Sequence, residues 1–286
     1  FRIDPNKEQQ TIINQTLGCC RLIYNKALAM RNEAYQNGNK IGYSQTSAML
    51  TGLKKSDDFA FLKAVDSIAL QQSLRDLDRG FVNFFQKRAS HPTFKSKQNH
   101  HQSYRTINQG DNIRIVGKYI KLPKSGFVKI RQTMGVEKIN NVTIERTPTN
   151  KYFAVLNVKF EPQPMSNKGG KIGIDVGIKE FYSDSNGNVV YNPKYLEKSM
   201  RKLIREQRKL SRKEKGSTNR NKQRVKVALV HEKITNQRND FLQKQSTMLI
   251  RESQTICIED LKVKNMMRNH KLAQHIGSAS WSKFFD

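Results

Sequence analysis

Two carboxylates in the second half of the sequence follow short apolar segments, where metal-dependent chemistry could use them. Asp175 stands in Gly173-Ile-Asp-Val-Gly177, whose glycines let a bulky charged ligand approach the backbone. Glu259 follows the apolar run Ile256-Cys-Ile258. Mg²⁺ takes oxygen ligands, and two such ions can activate the attacking water and stabilise the leaving oxygen of a phosphodiester. Each acid taken singly is also compatible with a strand-end turn or a surface ion pair.

The sequence around these acids predicts the elements that position them. Short segments joined by tight Gly-bearing turns predict three consecutive antiparallel strands over 171–175, 180–184 and 189–191. Apolar residues at helical spacing then predict a helical hairpin over 194–254, which turns at Gly216-Ser217. A fourth strand is predicted over 255–260. This order, with Asp on the first strand and Glu on the last, is the order expected of an RNase H-like nuclease core.

The first ninety residues are predicted to be mainly helical. Phe1 to Asp4 alternate like a short strand, and Pro5-Asn6 then introduces a helix that ends at Asn37-Gly38-Asn39. A second helical stretch follows Tyr43, and the 3.6-residue period continues over 61–85.

A change of pattern after Ile113 marks a second kind of structure. Short alternating segments interrupted by glycine and proline predict a β-meander or small barrel there. Residues 161–170 collect Pro, Gly, Ser and Asn, so we expect a linker between two folded units.

The charge of the chain indicates a polyanionic partner. Lys and Arg number 52 against 24 Asp and Glu, a net charge of +28 with a pI near 10.1, so nucleic acid is the first partner to test.

Three cysteines without a C-x-x-C pair make neither a disulfide framework nor a zinc site and favour a reducing cytoplasm. No apolar run approaches the ~20 residues that span a bilayer, and no signal peptide opens the chain. The missing initiator Met and helix-stop signal lead us to expect a longer polypeptide.

Two basic regions are candidates for phosphate contact. The stretch 195–226 holds thirteen bases against Glu197, Glu206 and Glu214, an excess that a solvated helix face does not require. Its candidate contacts are Arg201, Arg205, Arg208, Arg212 and Lys213. The second region interleaves bases with an aromatic, as a groove that tracks a backbone and stacks a base would do: Lys87, Arg88, Lys95, Lys97, Tyr104 and Arg105. The adjacent His100 and His101 have no Cys or acid close by in the sequence and are interpreted as loop residues rather than metal ligands.

Several ordered blocks resemble one family over essentially the whole chain. They include Gly173-Ile-Asp-Val-Gly-Ile-Lys-Glu-Phe181, Asn192-Pro-Lys-Tyr-Leu196, Arg208-Lys-Leu-Ser-Arg-Lys213, Gln237-Arg-Asn-Asp-Phe241, Ile256-Cys-Ile-Glu-Asp-Leu261 and, upstream, Val65-Asp-Ser-Ile-Ala-Leu-Gln-Gln72 and Phe94-Lys-Ser-Lys97. These blocks resemble TnpB, also called OrfB, a family encoded by insertion sequences and related to type V CRISPR effectors.

The resemblance implies an RNA-guided DNA endonuclease. Asp175 then takes the place of the first aspartate of a two-metal Mg²⁺ RuvC site, and Glu259 that of its glutamate. The family also carries a third catalytic Asp, preceded by a Cys-rich zinc ribbon, and neither occurs in this sequence. Zn²⁺ is therefore expected only in a further C-terminal part, and the present stretch alone is expected to bind metal weakly and not to cut. Asp260 points to the opposite strand face and is interpreted as structural.

The resemblance also implies a multi-domain α+β architecture. We expect a β-barrel, wedge-like domain from 1–4 and 91–165, a helical recognition domain inserted over 5–90, and an incomplete RuvC-like α/β domain over 166–286 that includes the hairpin 194–254.

The implied partners are an omega-type guide RNA and double-stranded target DNA, with no membrane. A prokaryotic cytoplasmic, nucleoid-associated location follows, and the number of protomers per RNA stays open. The residues on segments that match the reading of a short motif beside the target are Tyr43, Ser47, Gln71, Gln72 and Thr106. Gln71 and Gln72 diverge around one helix, so we do not expect them to meet the same base pair.

Two other functions remain open. A nuclease-dead relative could bind guided DNA and repress, although the presence of both Asp175 and Glu259 argues against a decayed site. A DNA-binding accessory of transposition is the third reading, and the sequence shows no His-hydrophobe-His pair with a catalytic Tyr to support a transposase.

Overall fold

The computed structural model describes residues 1–131, 134–136, 138–161 and 169–285. The chain divides into two compact units, Phe1–Glu161 and Pro162–Asp286, here called unit 1 and unit 2. The predicted linker at 161–170 lies largely outside the described residues. The fold is mixed α+β, as expected, and the three-domain division remains a prediction.

The helices of unit 1 follow a short first strand. The elements are β1 (Arg2–Asp4), α1 (Lys7–Gln36), α2 (Tyr43–Lys55), a 3₁₀ helix (Asp57–Lys63) and α3 (Ser67–Phe85). Asn6 starts α1 because its side chain accepts a hydrogen bond from the Gln9 N–H at 2.9 Å, while the Gln9 side chain accepts one from the Asn6 N–H. The continuous helix predicted over 61–85 is wrong. Asp66 interrupts it, since its carboxylate caps α3 by accepting from the Ile68 N–H.

A seven-stranded antiparallel sheet completes unit 1. Its further strands are β2 (Gln102–Ile107), β3 (Arg114–Val116), β4 (Tyr119–Leu122), β5 (Gly126–Arg131), β6 (Ile139–Arg146) and β7 (Tyr152–Val158). The order is β2-β6-β7-β1-β5-β4-β3, so the N-terminal strand lies in the middle of the sheet. The predicted meander is confirmed in β3 to β5. Among the described residues β2 and β3 do not pair with each other, so no closed hydrogen-bonded barrel is found there.

One apolar core joins the helices of unit 1 to its sheet. Ile13, Ile23 and Leu70 from the helices belong to the same buried cluster as Val142 and Ala154 from the strands, and all five are fully buried. Burial of this much apolar surface provides the main stabilisation of the unit.

Unit 2 contains the predicted three-stranded meander and helical hairpin. The elements are β8 (Lys171–Val176), β9 (Glu180–Asp184), β10 (Val189–Tyr191), α4 (Tyr195–Ser211), α5 (Thr218–Glu252), β11 (Thr255–Ile258), α6 (Val263–Met266), α7 (Ala273–Ala279) and α8 (Trp281–Phe285). The strand order is β10-β9-β8-β11, in which β8 is antiparallel to β9 and parallel to β11. These observations confirm the strands and the hairpin, and β11 ends one residue before Glu259.

Aromatic packing holds this second sheet against the helices. The ring of Phe181 contacts Phe241 of α5 at 5.0 Å and Phe284 of α8 at 4.9 Å between centroids. The Tyr182 hydroxyl donates to Gln245 Oε1 of α5 at 3.1 Å. The hairpin has a cluster of its own, in which Leu203 of α4 packs with Val227 and Val230 of α5.

Candidate functional site

The parallel pairing of β8 with β11 sets the positions of the two candidate acids. The register runs from Thr255 opposite Lys171 to Ile258 opposite Ile174. Asp175 and Glu259 each follow the last of these paired residues. Neighbouring strands lie about 4.8 Å apart, and aligned residues of parallel strands share one face of a sheet. The sheet therefore brings together two acids that are far apart in the sequence.

Neither carboxylate is held by a hydrogen bond or ion pair from a described residue. Asp175 and Glu259 are both exposed, and neither forms an ion pair among the residues that the structure describes. Asp175 lies opposite Ser183 of β9, a small residue. Two free carboxylates at adjacent positions suit a hard cation, which takes oxygen ligands.

The glycines beside Asp175 have different roles. A Cβ on Gly177 would lie 2.7 Å from the carbonyl oxygen of Glu180, so the tight turn into β9 requires glycine there. A Cβ on Gly173 would be 3.7 Å from the Ser185 Cβ, an ordinary contact. The turn thus explains Gly177 without a ligand, whereas no steric requirement explains Gly173.

A third nearby carboxylate, on Asp184, is occupied by a turn. It accepts from the backbone N–H groups of Asn186 and Asn188 at 3.0 and 2.9 Å and from Asn188 Nδ2 at 2.9 Å. The Asn188 side-chain hydrogen bond, more than the backbone ones, lowers the pKa of Asp184. Within the described ranges no group of three or more His, Cys, Asp or Glu could hold a metal ion. Asp175 and Glu259 are therefore two candidate ligands without a third among the described residues, and their binding of a metal remains a prediction.

The arginine face is the second feature of unit 2, formed by Arg201, Arg205, Arg208 and Arg212. Their spacing of four, three and four residues places them on one side of α4 and its C-cap, and all four are exposed. Leu203 and Glu206 of α4 are buried. Arg205 approaches Glu206 at 3.5 Å, and no described acid forms an ion pair with the other three. Lys213 is only partly exposed. The arginine face can therefore contact phosphates as predicted, and that role remains a prediction.

A buried polar link fixes the shape of the hairpin. The Gln223 amide of α5 donates to the Glu206 carboxylate at 2.7 Å and to the Glu206 carbonyl at 3.1 Å. The side-chain hydrogen bond from Gln223 is the main reason why the pKa of Glu206 is lowered. Arg220 donates to the carbonyls of Leu210 and Lys213, each at 2.8 Å, and so satisfies the end of α4. Arg220 therefore serves the fold rather than a ligand.

The basic region of unit 1 differs from its prediction at Tyr104 and Arg105. Tyr104 is 6% exposed and belongs to the core, and burial raises its pKa. Its ring therefore offers no face to a base, contrary to the expectation. The guanidinium of Arg105 is held by the Asp76 carboxylate. The Lys95 ammonium lies 4.2 Å from the centroid of the Tyr24 ring, and burial lowers its pKa. Lys87, Arg88 and Lys97 are exposed as expected.

The pairing of β2 explains why Tyr104 and Thr106 point inward. They lie opposite Ile144 and Val142 of β6, whose side chains are buried. Of the five motif-reading candidates, Thr106 is 1% and Gln72 is 5% exposed, so neither can reach a base edge in this conformation. Gln71 is exposed, which confirms that it diverges from Gln72.

Tyr43 and Ser47 of α2 remain partly exposed, and one further residue joins them. Arg75 lies one helical turn beyond Gln71 on α3, and its guanidinium stacks 4.5 Å from the Tyr43 ring centroid. Sequence reasoning missed Arg75, although its i+4 spacing from Gln71 was a usable signal.

Comparison with known proteins gives matches over both units. A family model for the IS605 OrfB proteins, described as "Probable transposase", matches residues 145–270. A helix-turn-helix model of the same family matches residues 1–40, which fold here as β1 and one uninterrupted helix, α1. No described helix has the length and apolar character needed to cross a membrane.

Two curated relatives cover most of the chain. A Streptomyces pristinaespiralis protein named "Putative RNA-guided DNA endonuclease" is 39% identical over 288 residues, which span 99% of this chain and 71% of that protein. An Escherichia coli K12 protein of the same name, with the suffix InsQ, is 36% identical over 273 residues, which span 94% of this chain and 67% of that protein.

Proposed function

The chain belongs to the IS605 OrfB family, also called TnpB, and on this premise we propose that it acts as an RNA-guided DNA endonuclease. In this proposal an omega-type guide RNA pairs with target DNA beside a short adjacent motif. Hydrolysis takes place at a RuvC-like Mg²⁺ site on the sheet of unit 2. The names of the two relatives support the reaction class, and the residues of this chain support the location of the site.

The observation that carries the location is the register of β8 and β11. It aligns Ile174 with Ile258 and so puts Asp175 and Glu259 at neighbouring positions, without ion pairs among the described residues. In the proposal both carboxylates hold Mg²⁺ and orient the scissile phosphate beside them. Bound Mg²⁺ lowers the pKa of water and offsets the charge that develops on the phosphate. Because the described residues offer only two candidate ligands, the proposed site requires at least one further carboxylate.

Nucleic-acid binding is assigned to surfaces on each unit. The arginine face is proposed to contact phosphates, since it combines four exposed cations with no described acid close enough to neutralise three of them. On unit 1 we retain Tyr43, Ser47 and Gln71 for reading the adjacent motif, and we add Arg75.

The test removes charge from each acid with little change of shape. In the full-length protein loaded with its guide RNA, Asp175→Asn and Glu259→Gln are each expected to abolish Mg²⁺-dependent cutting of a matched duplex. Guided binding, measured by gel shift on the same duplex, is expected to persist, because phosphate contacts elsewhere are unchanged. Asp260→Asn is the matched control, since Asp260 is an exposed acid next to Glu259, and it is expected to cut normally.

Three outcomes separate the candidate functions. Unchanged cutting by either variant would refute the site. Guided binding by a wild-type protein that does not cut would identify an RNA-guided repressor. Loss of binding in both variants, with normal binding by Asp260→Asn, would make these acids structural.

A further inference from the structure

An aromatic cluster at the carboxyl end of α3 has no role in the functions described above. The ring of His91 packs edge-on against two phenylalanines, 5.3 Å from Phe81 and 5.1 Å from Phe84 between centroids. Phe85 contacts the same two phenylalanines, yet it is 70% exposed. A large flat ring is thus presented to solvent on a packed base of other rings.

The segment after α3 is fixed at two points. A Cβ on Gly80 would lie 3.4 Å from the Pro92 ring, so this segment returns closely onto α3. Further along, the Lys95 N–H donates to Asn25 Oδ1 at 2.8 Å and the Lys95 carbonyl accepts from Asn25 Nδ2 at 3.0 Å. Between these anchors lies Phe94, which is 57% exposed. Two exposed rings, Phe85 and Phe94, therefore sit on a preorganised backbone, which reduces the entropy lost when a ligand binds.

The segment that carries these rings is rich in positive charge. No Asp or Glu occurs between Asp78 and Asp111, and Asp78 itself is paired with Arg31 at 2.9 Å. Lys87, Arg88 and Lys97 lie in this acid-free stretch and are exposed. Exposed aromatic faces among exposed cations are typical of surfaces that bind single-stranded nucleic acid.

The backbone at Lys87 adds an independent observation. The Lys87 N–H donates to the Phe84 carbonyl and the Arg88 N–H to the Asn83 carbonyl, which is the Schellman pattern of helix termination. The residue at this position has a φ of 59°, where glycine is usual and lysine is strained. A lysine here puts an ammonium within two residues of Phe85 at a conformational cost that glycine would avoid, and such strain often accompanies function.

We propose that Phe85 and Phe94 stack on unpaired bases of the guide RNA, whose phosphates contact Lys87, Arg88 and Lys97. This inference rests on the proposed function for the identity of the RNA. Unpaired RNA is favoured over duplex target DNA, because paired bases stack on one another and expose no free face. Phe85 and Phe94 thereby take the base-stacking role that the sequence had suggested for Tyr104.

The first test compares three substitutions by titrating a single-stranded RNA 20-mer that contains 2-aminopurine, without Mg²⁺. Phe85→Leu keeps the apolar character but removes the flat ring, and it is expected to weaken binding by about 5- to 150-fold and to reduce the quenching of 2-aminopurine. Phe85→Trp is expected to retain both. Phe61→Leu, at a ring 48% exposed on the 3₁₀ helix of unit 1, is the matched control and should bind as the wild type does.

A second substitution separates binding from folding. Lys87→Gly relieves the strained backbone, so the melting temperature should stay the same or rise, while the salt slope of RNA binding becomes shallower by about 0.7. A lower melting temperature with unchanged RNA affinity would assign Lys87 to the fold and overturn its role.

The remaining outcomes distinguish this inference from the proposed function. If Phe85→Leu binds the RNA and quenches 2-aminopurine as the wild type does, the proposed stacking on Phe85 would be overturned. The proposal of a Mg²⁺ site on unit 2 would be unaffected. If Phe85→Leu weakens binding equally to the same RNA annealed to its complement, base stacking would be overturned. Tighter binding of the wild type to a single-stranded DNA 20-mer of the same sequence would overturn the assignment to RNA. A wild-type protein that binds none of these probes would overturn this inference, whereas the cutting assay on the guide-loaded protein decides the proposed function.

Discussion

The two units of the protein use their charged side chains differently. In unit 1, ion pairs join separate elements: Arg31 of α1 with Asp78 of α3, Arg105 of β2 with Asp76 of α3, and Arg131 of β5 with Asp4 of β1. In unit 2, Asp175, Glu259 and three members of the arginine face form no ion pair with any described residue. The ion pairs of unit 1 therefore contrast with a set of acids and arginines in unit 2 that no described residue pairs, although Glu197 of α4 does lie 3.0 Å from His275 of α7.

This difference shows that a basic run in a sequence does not reveal which of its members can bind. Arg105 and Arg201 both occur in Lys/Arg-rich stretches, yet the first is held by an acid 29 positions earlier and the second is exposed. Pairing depends on which elements the fold brings together. The four predictions that follow test this contrast.

The largest effect is expected from Tyr104, whose ring belongs to the core of unit 1. Tyr104→Ala leaves a cavity among buried residues and should lower the free energy of unfolding by about 3 to 5 kcal/mol. Urea denaturation followed by circular dichroism measures this loss. If Tyr104→Ala is as stable as the wild type and binds RNA more weakly, the burial of Tyr104 would be contradicted. The difference between the two units would then no longer hold at this residue.

A smaller effect is expected from Arg105. Arg105→Gln breaks the ion pair with Asp76, and because the Asp76 side chain is 40% exposed we expect a loss of only about 1 kcal/mol in the free energy of unfolding. Arg201→Gln is the control and should change stability by less than about 0.5 kcal/mol. Equal losses in the two variants would show that the arginine face is also structural.

Acid should weaken the hairpin through Glu206. Its pKa is lowered in the folded protein, chiefly by the hydrogen bond from Gln223, so the carboxylate stabilises the fold above its ordinary value of 4.5. That contribution is lost as the pH falls through the lower folded pKa. The melting temperature of Glu206→Gln should therefore fall less than that of the wild type below about pH 5. If the melting temperatures of the two proteins fall equally with pH over this range, the stabilising role of the Glu206 carboxylate would be contradicted.

The smallest effect on stability, with a distinct effect on binding, is expected from the arginine face. Replacing Arg201 and Arg208 with Gln preserves helix propensity and should leave thermal melting unchanged. The slope of log affinity against log salt should become shallower by about 1.4 to 1.8, because two phosphate contacts are lost. Matched and mismatched targets should weaken equally, since phosphate contacts carry no sequence information. An unchanged slope would make this surface a solvated helix face.

Much of unit 2 could be predicted, because its signals are local. Gly177 and Asn186-Gly187 mark tight turns between β8, β9 and β10, and apolar residues at helical spacing mark α4 and α5. The exposure of the arginine face also followed from helical spacing. The adjacency of Asp175 and Glu259 was implied only by the order of the elements, since residues that pair across a parallel sheet leave no local signature.

The errors in unit 1 arose where tertiary contacts outweighed local pattern. Strand β2 was missed because Gln102-Ser-Tyr-Arg-Thr-Ile107 has little β-branched apolar character, and so its inward Tyr104 was interpreted as a surface ring. The helix predicted over 61–85 is interrupted at Asp66. The capping role of Asp66 depends on its hydrogen bond from the Ile68 N–H, which the periodicity of the sequence does not show. The pairing of Arg105 with Asp76 likewise requires the packing of β2 on α3.

The pairing of β8 with β11 also has a consequence for the order of events during synthesis. Glu259 leaves the ribosome 84 residues after Asp175, so at about 5 to 20 residues per second the two acids become neighbours only after a delay of about 4 to 17 s. All of unit 1, with its RNA-binding candidates, has been made by then. Under the proposed function, a nascent chain would bind its RNA before the proposed Mg²⁺ site is assembled, and ribosome-bound chains that end before β11 should already retain RNA.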